Sequence, residues 1–389
     1  MHKIVLKKSF NPASRPFHPW IYRSQIAAST NGEGTGDLLR IESASGRFLG
    51  VGYYNPKSEI AVRVLSRRDT PIDKDFFKDK IEKALGRRKS WVRDTNAFRV
   101  VSSEADDLPG LVVDRYGDVL VVQFLTLGME HLRETVLSAL EQALPSKGIF
   151  ERSDSSSRRL EGLEAKVGWI KQECADTVEI FERDVTVEIR FGEGHKTGFY
   201  LDQRENRYAL RDLGRQGEAL DAFCYEGAFG LHLARAGWKV LGLDIQKDAI
   251  ERAEAHRKRN SISEESLSFK TANVFDELRA LEKGGRKFDL VVLDPPSFVK
   301  KKQALEGALA GMKEIILRSL KILNEEGLLA VFSCSYHMDD GLLMQTSLSA
   351  AVDARKNLRV LKFLKQSADH PINPFIPETY YLKGFLFHA

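Results

Sequence analysis

Cys334 stands between two serines in "VFSCSYHM" (331–338), where an apolar run gives way to polar residues. A cysteine inside a protein ordinarily packs as a small hydrophobe. One at the polar end of an apolar run either caps a strand or does chemistry. A second apolar run ends in "LDPPSF" (293–298), with Asp294 first after it. A thiol and an acid at two such ends suit substitution at C5 of a cytosine. A thiolate adds at C6 of the ring and makes C5 nucleophilic, while an acid near N3 stabilises the developing charge. The thiolate is the reactive form, so nearby cations help. Lys300, Lys301 and Lys302 follow the Asp-Pro-Pro-Ser turn. They lower the thiol pKa, hold phosphate, or simply face solvent. Cys224 reads as packing, and Cys174 has no chemical partner in the sequence.

A ligand site precedes this pair. "LDAFCYEGAFGLHLARAG" (220–237) runs from an apolar strand through Asp221 and a turn with Gly227 and Gly230 into a helix. Glycines let backbone approach a ligand closely. Asp244 closes the next apolar run in "VLGLDIQ", 23 residues beyond Asp221, where an acid accepts hydrogen bonds from a ribose diol. The pair points to an adenosine-type ligand, or else to two strand-end caps. The dinucleotide pattern G-x-G-x-x-G is missing, so a dehydrogenase is a distant reading.

These residues need strands ending on one edge. From about residue 191 apolar strands and amphipathic helices alternate: "EALDAFC", "KVLGLDI", "LSFKTANV", "FDLVVLD" and "GLLAVFSC" as strands, "DAIERAEAHRKRN" and "ALEGALAGMKEIILRSLKIL" as helices. That rhythm predicts a doubly wound parallel α/β sheet, whose ligands bind at the carboxyl ends of strands. Residues 73–190 read as α+β, opening with a helix over "DTPIDKDFFKDKIEKALGRRKSW". Residues 1–72 read as short strands broken by turns, a small β-barrel. Residues 1–70 hold 11 Lys and Arg against 5 Asp and Glu, while the whole chain carries only +4. A basic module on a near-neutral body suggests a polyanionic partner; the plainer reading is a solvated basic face.

The chain has 389 residues, 42% hydrophobic and 29% charged, ordinary for a globular protein of two or three domains. No apolar stretch reaches the length of a membrane span, and "MHKIVLKKSF" has no secretory apolar core. Three scattered cysteines exclude a disulfide framework or a cysteine zinc site. The expectation is a cytoplasmic protein without a membrane partner or a metal.

The strand–turn–helix at 220–237 together with "LDPPSF" resembles the class I S-adenosylmethionine-dependent methyltransferases, with a Rossmann-like fold. "LPGLVVDRYGD" (108–118), "SDSSSRRLEGL" (153–163), "KTGFYLDQRENR" (196–207), "DPPSF", "SCS" and "DHPINPFIPETYYLKG" (369–384) narrow this. They resemble the RlmI family of ribosomal-RNA cytosine-C5 methyltransferases across essentially the whole chain. "RPFHPWIYRSQI" (15–26) is similar to the opening of that family's RNA-binding PUA barrel.

The resemblance implies a PUA domain at 1–72, a central α+β domain at 73–190 and a methyltransferase domain at 191–389. It implies large-subunit ribosomal RNA as substrate, S-adenosylmethionine as methyl donor, and relatives that are often homodimers. Carried over by motif, Cys334 is the nucleophile and Asp294 the acid on the base. Asp221, Gly227, Asp244 and Asn273 line the cofactor site, flanked by Phe223, Tyr225, Ile245, Val274 and Pro295, with Asp294 shared. Lys196, Phe199, Asp202, Gln203 and Arg204 come near the cofactor mouth. Glu226 occupies a position that is commonly Thr, and its charge is expected to reshape carboxylate binding. Arg15, His18, Trp20 and Arg23 are the RNA contacts expected on the barrel. Ser297 replaces the second Cys of a related branch and is a poor base, so either Glu378 or a water on Asp294 is expected to remove the C5 proton. Two other readings stay open: an amine methyltransferase that does not need Cys334, and a non-catalytic RNA-binding assembly factor on a relic fold.

Overall fold

The computed structural model describes residues 2–10, 15–29, 36–192, 197–297, 305–335 and 337–389. The chain divides into two compact units. One comprises residues 1–180, 189–201 and 368–379, the other residues 181–188, 202–367 and 380–389.

In the first unit a six-stranded sheet runs in the order Trp20–Ile21, Val62–Ser66, Phe48–Tyr54, Leu38–Glu42, His2–Leu6, Ile26–Ser29. Only the His2–Leu6 and Leu38–Glu42 pair is parallel. Alternation along Leu38–Glu42 turns Leu39 and Ile41 inward, where they join Ile4, Leu6, Ile21, Val62 and Val64, as a one-sided strand requires. The helix Lys74–Trp91 starts where the Asp73 carboxylate accepts the N–H of Phe76 at 3.0 Å, satisfying one orphan donor of the first turn. It buries Phe77, Ile81, Ala84 and Leu85.

A five-stranded sheet follows, in the order Lys166–Gln172, Gly148–Ser153, Val119–Phe124, Leu111–Tyr116, Ala97–Ser102. Arg88, almost fully buried, pairs with Asp106 through bonds of 2.7 and 2.6 Å. Its guanidinium also donates to the carbonyl of Asp369, and the Asp369 carboxylate accepts the N–H of Arg99 at 2.9 Å. These bonds hold the C-terminal segment 368–379 within this unit.

The second unit is a seven-stranded sheet. Its strands are β1 Glu218–Ala222, β2 Lys239–Asp244, β3 Leu267–Thr271, β4 Phe288–Leu293, β5 Leu323–Ser333, β6 Arg359–Lys365 and β7 Lys383–His388. The helices are α1 Arg204–Arg211, α2 Ala228–Arg235, α3 Lys247–Arg259, α4 Val274–Lys283, α5 Leu305–Ile322 and α6 Asp340–Ala354. The sheet order is β3-β2-β1-β4-β5-β7-β6. β1 to β5 are parallel, and β7 runs antiparallel between β5 and β6. β4 reads "FDLVVL" with five of six residues buried, because helices cover both faces of a parallel sheet. Leu220, Leu243, Val291 and Leu329 from the strands meet Ile315, Ile316 and Leu343 from α5 and α6 in its core. The strand order reverses between β1 and β4, which is the switch point where such sheets bind ligands.

The strand expected over "LSFKTANV" stops at Thr271. Asn273 accepts the N–H of Phe275 at 3.0 Å and caps α4, so Asn273 and Val274 sit at a helix start rather than in a strand.

Candidate active site at the carboxyl edge of the parallel strands

The turn from β1 into α2 is conformationally unusual. Phe223 (φ 66°), Tyr225 (φ 50°) and Gly227 (φ 80°) all adopt the left-handed region. Two bulky residues in that region cost energy, and such strain clusters at functional sites. The turn is held by the Cys224 N–H on the Leu243 carbonyl at 2.9 Å and the Tyr225 N–H on Asp244 Oδ2 at 2.9 Å. A Cβ on Gly227 would come 2.5 Å from the ring of Phe269. This glycine therefore answers both to its φ and to packing.

Asp221 is fully enclosed at the head of this turn. Its Oδ2 accepts the N–H of Gly230 at 2.9 Å, while Oδ1 has no hydrogen-bond partner among the described residues. Burial pushes its carboxyl up to about 7, with the negative charges of Asp294 and Asp244 adding to the effect. A buried acceptor left without a donor is costly, and a donor on a ligand would satisfy it. Asp244, at the end of β2, takes the N–H groups of Tyr225 and Gln246, one on each oxygen. Each oxygen keeps a second lone-pair site for a hydroxyl. Ile245, next in line, is 64% exposed, an apolar face beside the acid, and Asn273 is exposed at the neighbouring strand end. An orphaned buried oxygen, an acid on a strand tip and an exposed apolar side chain fit an adenosine-type cofactor with a charged tail.

Glu226 departs from the expectation. Its carboxylate is buried and accepts the Nε–H of Arg252, on α3, at 2.6 Å. The charge expected to disturb the cofactor is thus neutralised inside the protein.

Asp294 and Cys334 are the first residues beyond β4 and β5. These strands pair in parallel, with Leu293 opposite Val331, so Cys334 lies two residues, or about 7 Å, further along than the residue facing Asp294. The two turns meet: Ser297 Oγ and Ser335 Oγ share a hydrogen bond of 2.9 Å. Cys334 is exposed, whereas Cys224 is buried and Cys174 half-buried. Burial drives the Cys224 thiol well above its ordinary value, which suits the packing role expected for it. Pro295 is buried behind Asp294, which is itself half-buried.

The described residues of the "KTGFYLDQR" motif named as cofactor contacts are largely buried in the protein. Phe199 is buried in the first unit, its N–H on the hydroxyl of Tyr116 at 3.2 Å. In the second unit Asp202 accepts the hydroxyl of Tyr381 at 2.9 Å, Gln203 accepts the amide of Asn206 at 2.6 Å, and Arg204 is almost fully buried. These side chains brace the chain from within and offer little surface to a cofactor. Lys196, Lys300, Lys301 and Lys302 lie outside the described residues.

On the basic module, Arg15 and Arg23 are exposed. Arg15 lies 3.3 Å from Glu378, and Arg23 donates to the carbonyl of Lys57. His18 is buried and its Nε2 lies 3.0 Å from Glu378, so it presents no open face to a nucleic acid. Trp20 is half-buried and donates to Glu104 at 2.9 Å. Glu378 is thus engaged at both oxygens within the first unit. The sequence did not point to a cleft of about 570 Å³ in this unit, lined by Phe17, Arg67, Arg68, Phe76, Lys80 and Lys83 together with the acids Asp79, Glu104 and Asp107. Its residues are too far apart in the chain to form a motif. No group of acids, histidines and cysteines fit to hold a metal occurs among the described residues, and among them no helix is long and apolar enough to cross a membrane.

Comparison with known proteins agrees with this architecture. Residues 4–67 match the PUA-like domain family, and residues 106–387 match the S-adenosylmethionine-dependent methyltransferase family. The chain is 36% identical over 390 residues to the ribosomal RNA large subunit methyltransferase I of Shewanella frigidimarina, covering 99% of this chain and 98% of that one. It is 37% identical over 388 residues to the protein of the same name from Vibrio cholerae, covering 98% of each. Among solved structures, SMU.776 complexed with SAH superposes with a TM-score of 0.86 at 20% identity, covering 100% of both chains. A strained turn with an orphaned acid, placed at the switch point of a 3-2-1-4-5-7-6 sheet, and full-length likeness to these relatives lead to one assignment: the chain belongs to the ribosomal RNA large subunit methyltransferase I family of S-adenosylmethionine-dependent methyltransferases, with a PUA-like domain at its N-terminal end.

Proposed function

We propose that this protein methylates C5 of a cytosine in large-subunit ribosomal RNA, through a covalent bond between Cys334 and C6 of the base. The observation that supports this reading most is the exposed Cys334 thiol on a turn bonded, through Ser335 and Ser297, to the Asp-Pro-Pro-Ser turn of β4. The relatives' name supplies ribosomal RNA as the substrate class.

The cofactor supplies an electrophilic methyl group. Asp221 and Asp244 would hold its polar ends, and Ile245 and Asn273 would lie toward its adenine. The target base leaves its stack to enter the pocket, as enzymes acting on a base require. Cys334 loses its proton to solvent, and the sulfur forms a bond to C6 while the ring electrons move toward N3. Asp294, as its neutral acid, donates a hydrogen bond to N3 and so stabilises that charge. C5 would then accept the methyl group of the bound donor, the donor's sulfur–methyl bond breaking as the bond to C5 forms and a neutral thioether being left behind. The C5 proton leaves to a water held by Asp294, Glu378 being committed to Arg15 and His18. The C5–C6 double bond re-forms as the sulfur departs. Residues 1–72 serve RNA, with Arg15, Arg23 and the arginines of the cleft, Arg67 and Arg68, toward the phosphates. Residues 73–190 support, and residues 191–389 carry the transfer. The setting is the cytoplasm, and a homodimer is the family's expectation.

Bisulfite sequencing of ribosomal RNA from cells with and without the gene tests the chemistry, together with in vitro transfer by Cys334→Ala. The reading expects one protected cytosine that disappears with the gene, and a rate more than about a thousandfold lower in the variant. Normal turnover by Cys334→Ala, or methyl groups only on exocyclic amines, would favour amine transfer and end the proposal.

A further inference from the structure

Lys383 sits where a lysine is costly. It is the first residue of β7, pairs in register with Ser333, the last residue of β5, and is only 3% exposed. Its ammonium donates to the carbonyls of Ser335 and Tyr381, at 3.4 and 3.3 Å. No carboxylate among the described residues forms an ion pair with it. An enclosed ammonium held only by carbonyls is poorly compensated for its lost hydration.

The nearest acid is already occupied. Asp340, at the start of α6, takes the Tyr380 hydroxyl at 2.7 and 2.8 Å, and Lys365 donates to that same hydroxyl at 2.6 Å. Lys383 instead lies 5.2 Å from the centre of the Tyr380 ring. Burial lowers the Lys383 pKa, opposed by the charges of Asp340, Asp339 and Cys334. The Ser335 carbonyl that this amine holds follows Cys334 directly in the chain, so the thiol stands on the turn that Lys383 contacts.

We infer that Lys383 is a positioning residue for the transfer: its buried ammonium fixes the Ser-Cys-Ser turn through the Ser335 carbonyl and favours the thiolate of Cys334. The inference rests on reading Cys334 as the nucleophile. A cation beside a thiol favours the charged form, and its effect grows as a bound base excludes water. No proton passes between the two groups: the thiol proton leaves to solvent and Lys383 stays protonated. Other charged groups on the elements packed around this turn are Asp294 after β4, His337 in the turn itself, Asp339 and Asp340 at α6, and Lys365 on β6. All of them remain when Lys383 alone is changed.

The test is the pH dependence of Cys334 alkylation by iodoacetamide, read by mass spectrometry on the Cys334 peptide of the full chain. It is run in a Cys174→Ser background without RNA, so it does not depend on turnover. In Lys383→Met the alkylation midpoint should rise by about one pH unit or more, Lys383→Arg should keep most of the wild-type midpoint, and the rising limb of the methyl-transfer pH profile should move by the same amount. Lys383→Gln, checked for a native melt, gives the same reading should the methionine variant fold poorly. An unmoved midpoint in a natively folded Met or Gln variant overturns the inference. A moved midpoint combined with normal turnover by Cys334→Ala instead refutes the nucleophile itself, which separates the two failures.

Discussion

Replacing Asp221 by Asn removes a charge that the folded chain holds at a cost. The carboxyl ionises near 3.8 when solvated and only near 7 when buried in the folded chain. The folded state therefore binds more protons than the unfolded state between those values, and stability falls as pH rises through the interval. At 1.36 kcal/mol per pKa unit, the full interval amounts to about 4 kcal/mol above neutral pH. By the same relation the cost is about 2 kcal/mol at pH 5. The Asn oxygen keeps the bond from the Gly230 N–H, and its amide takes the place of the orphaned Oδ1. Ligand-free Asp221→Asn should thus exceed the wild type by a margin growing from about 2 kcal/mol at pH 5 to about 4 at pH 8. Urea unfolding at several pH values reads it directly. The same variant should bind S-adenosylmethionine more weakly, because a donor now stands where an acceptor was. Wild-type binding near neutral pH should release a proton, visible as a buffer-dependent heat in calorimetry. A margin that stays flat from pH 4 to 7 would refute the burial argument, and unchanged cofactor affinity would refute the assignment of Oδ1.

Arg252→Ala should strand the buried Glu226 carboxylate beside the cofactor turn. A loss of about 2–3 kcal/mol and weaker cofactor binding are expected, both relieved by adding Glu226→Gln; thermal melts and cofactor titration check this. In the cleft, Arg68→Ala, and Lys83→Ala, which also frees Asp79 from its ion pair, should weaken RNA binding uniformly across sequences. Each lost phosphate contact should lower the slope of log affinity against log salt by about 0.7–0.9, measurable by filter binding between low and moderate salt. Unchanged slopes in both variants would remove the cleft from the RNA path.

Much of this protein is legible in the chain. Alternation marks the strands of the first 70 residues, and the strand–helix rhythm after residue 191 marks a parallel sheet, because backbone period and burial print directly on residue order. Asp244, Asp294 and Cys334 stand out because each ends an apolar run, and Asp221 because it leads into a glycine turn; strand ends are where such sheets bind ligands. Burial and pairing across the sheet are not printed that way. The alignment of β4 and β5 joins Ser297 to Ser335, and the return of β7 against β5 delivers Lys383 to the same turn from 48 residues away. Glu226 meets Arg252 across two helices' ends, and His18 meets Glu378 from 360 residues away. Local pattern determines which elements form and which residues sit at their ends. Only tertiary packing decides which charges are paired, which are left enclosed without a partner, and therefore which of them are available for chemistry.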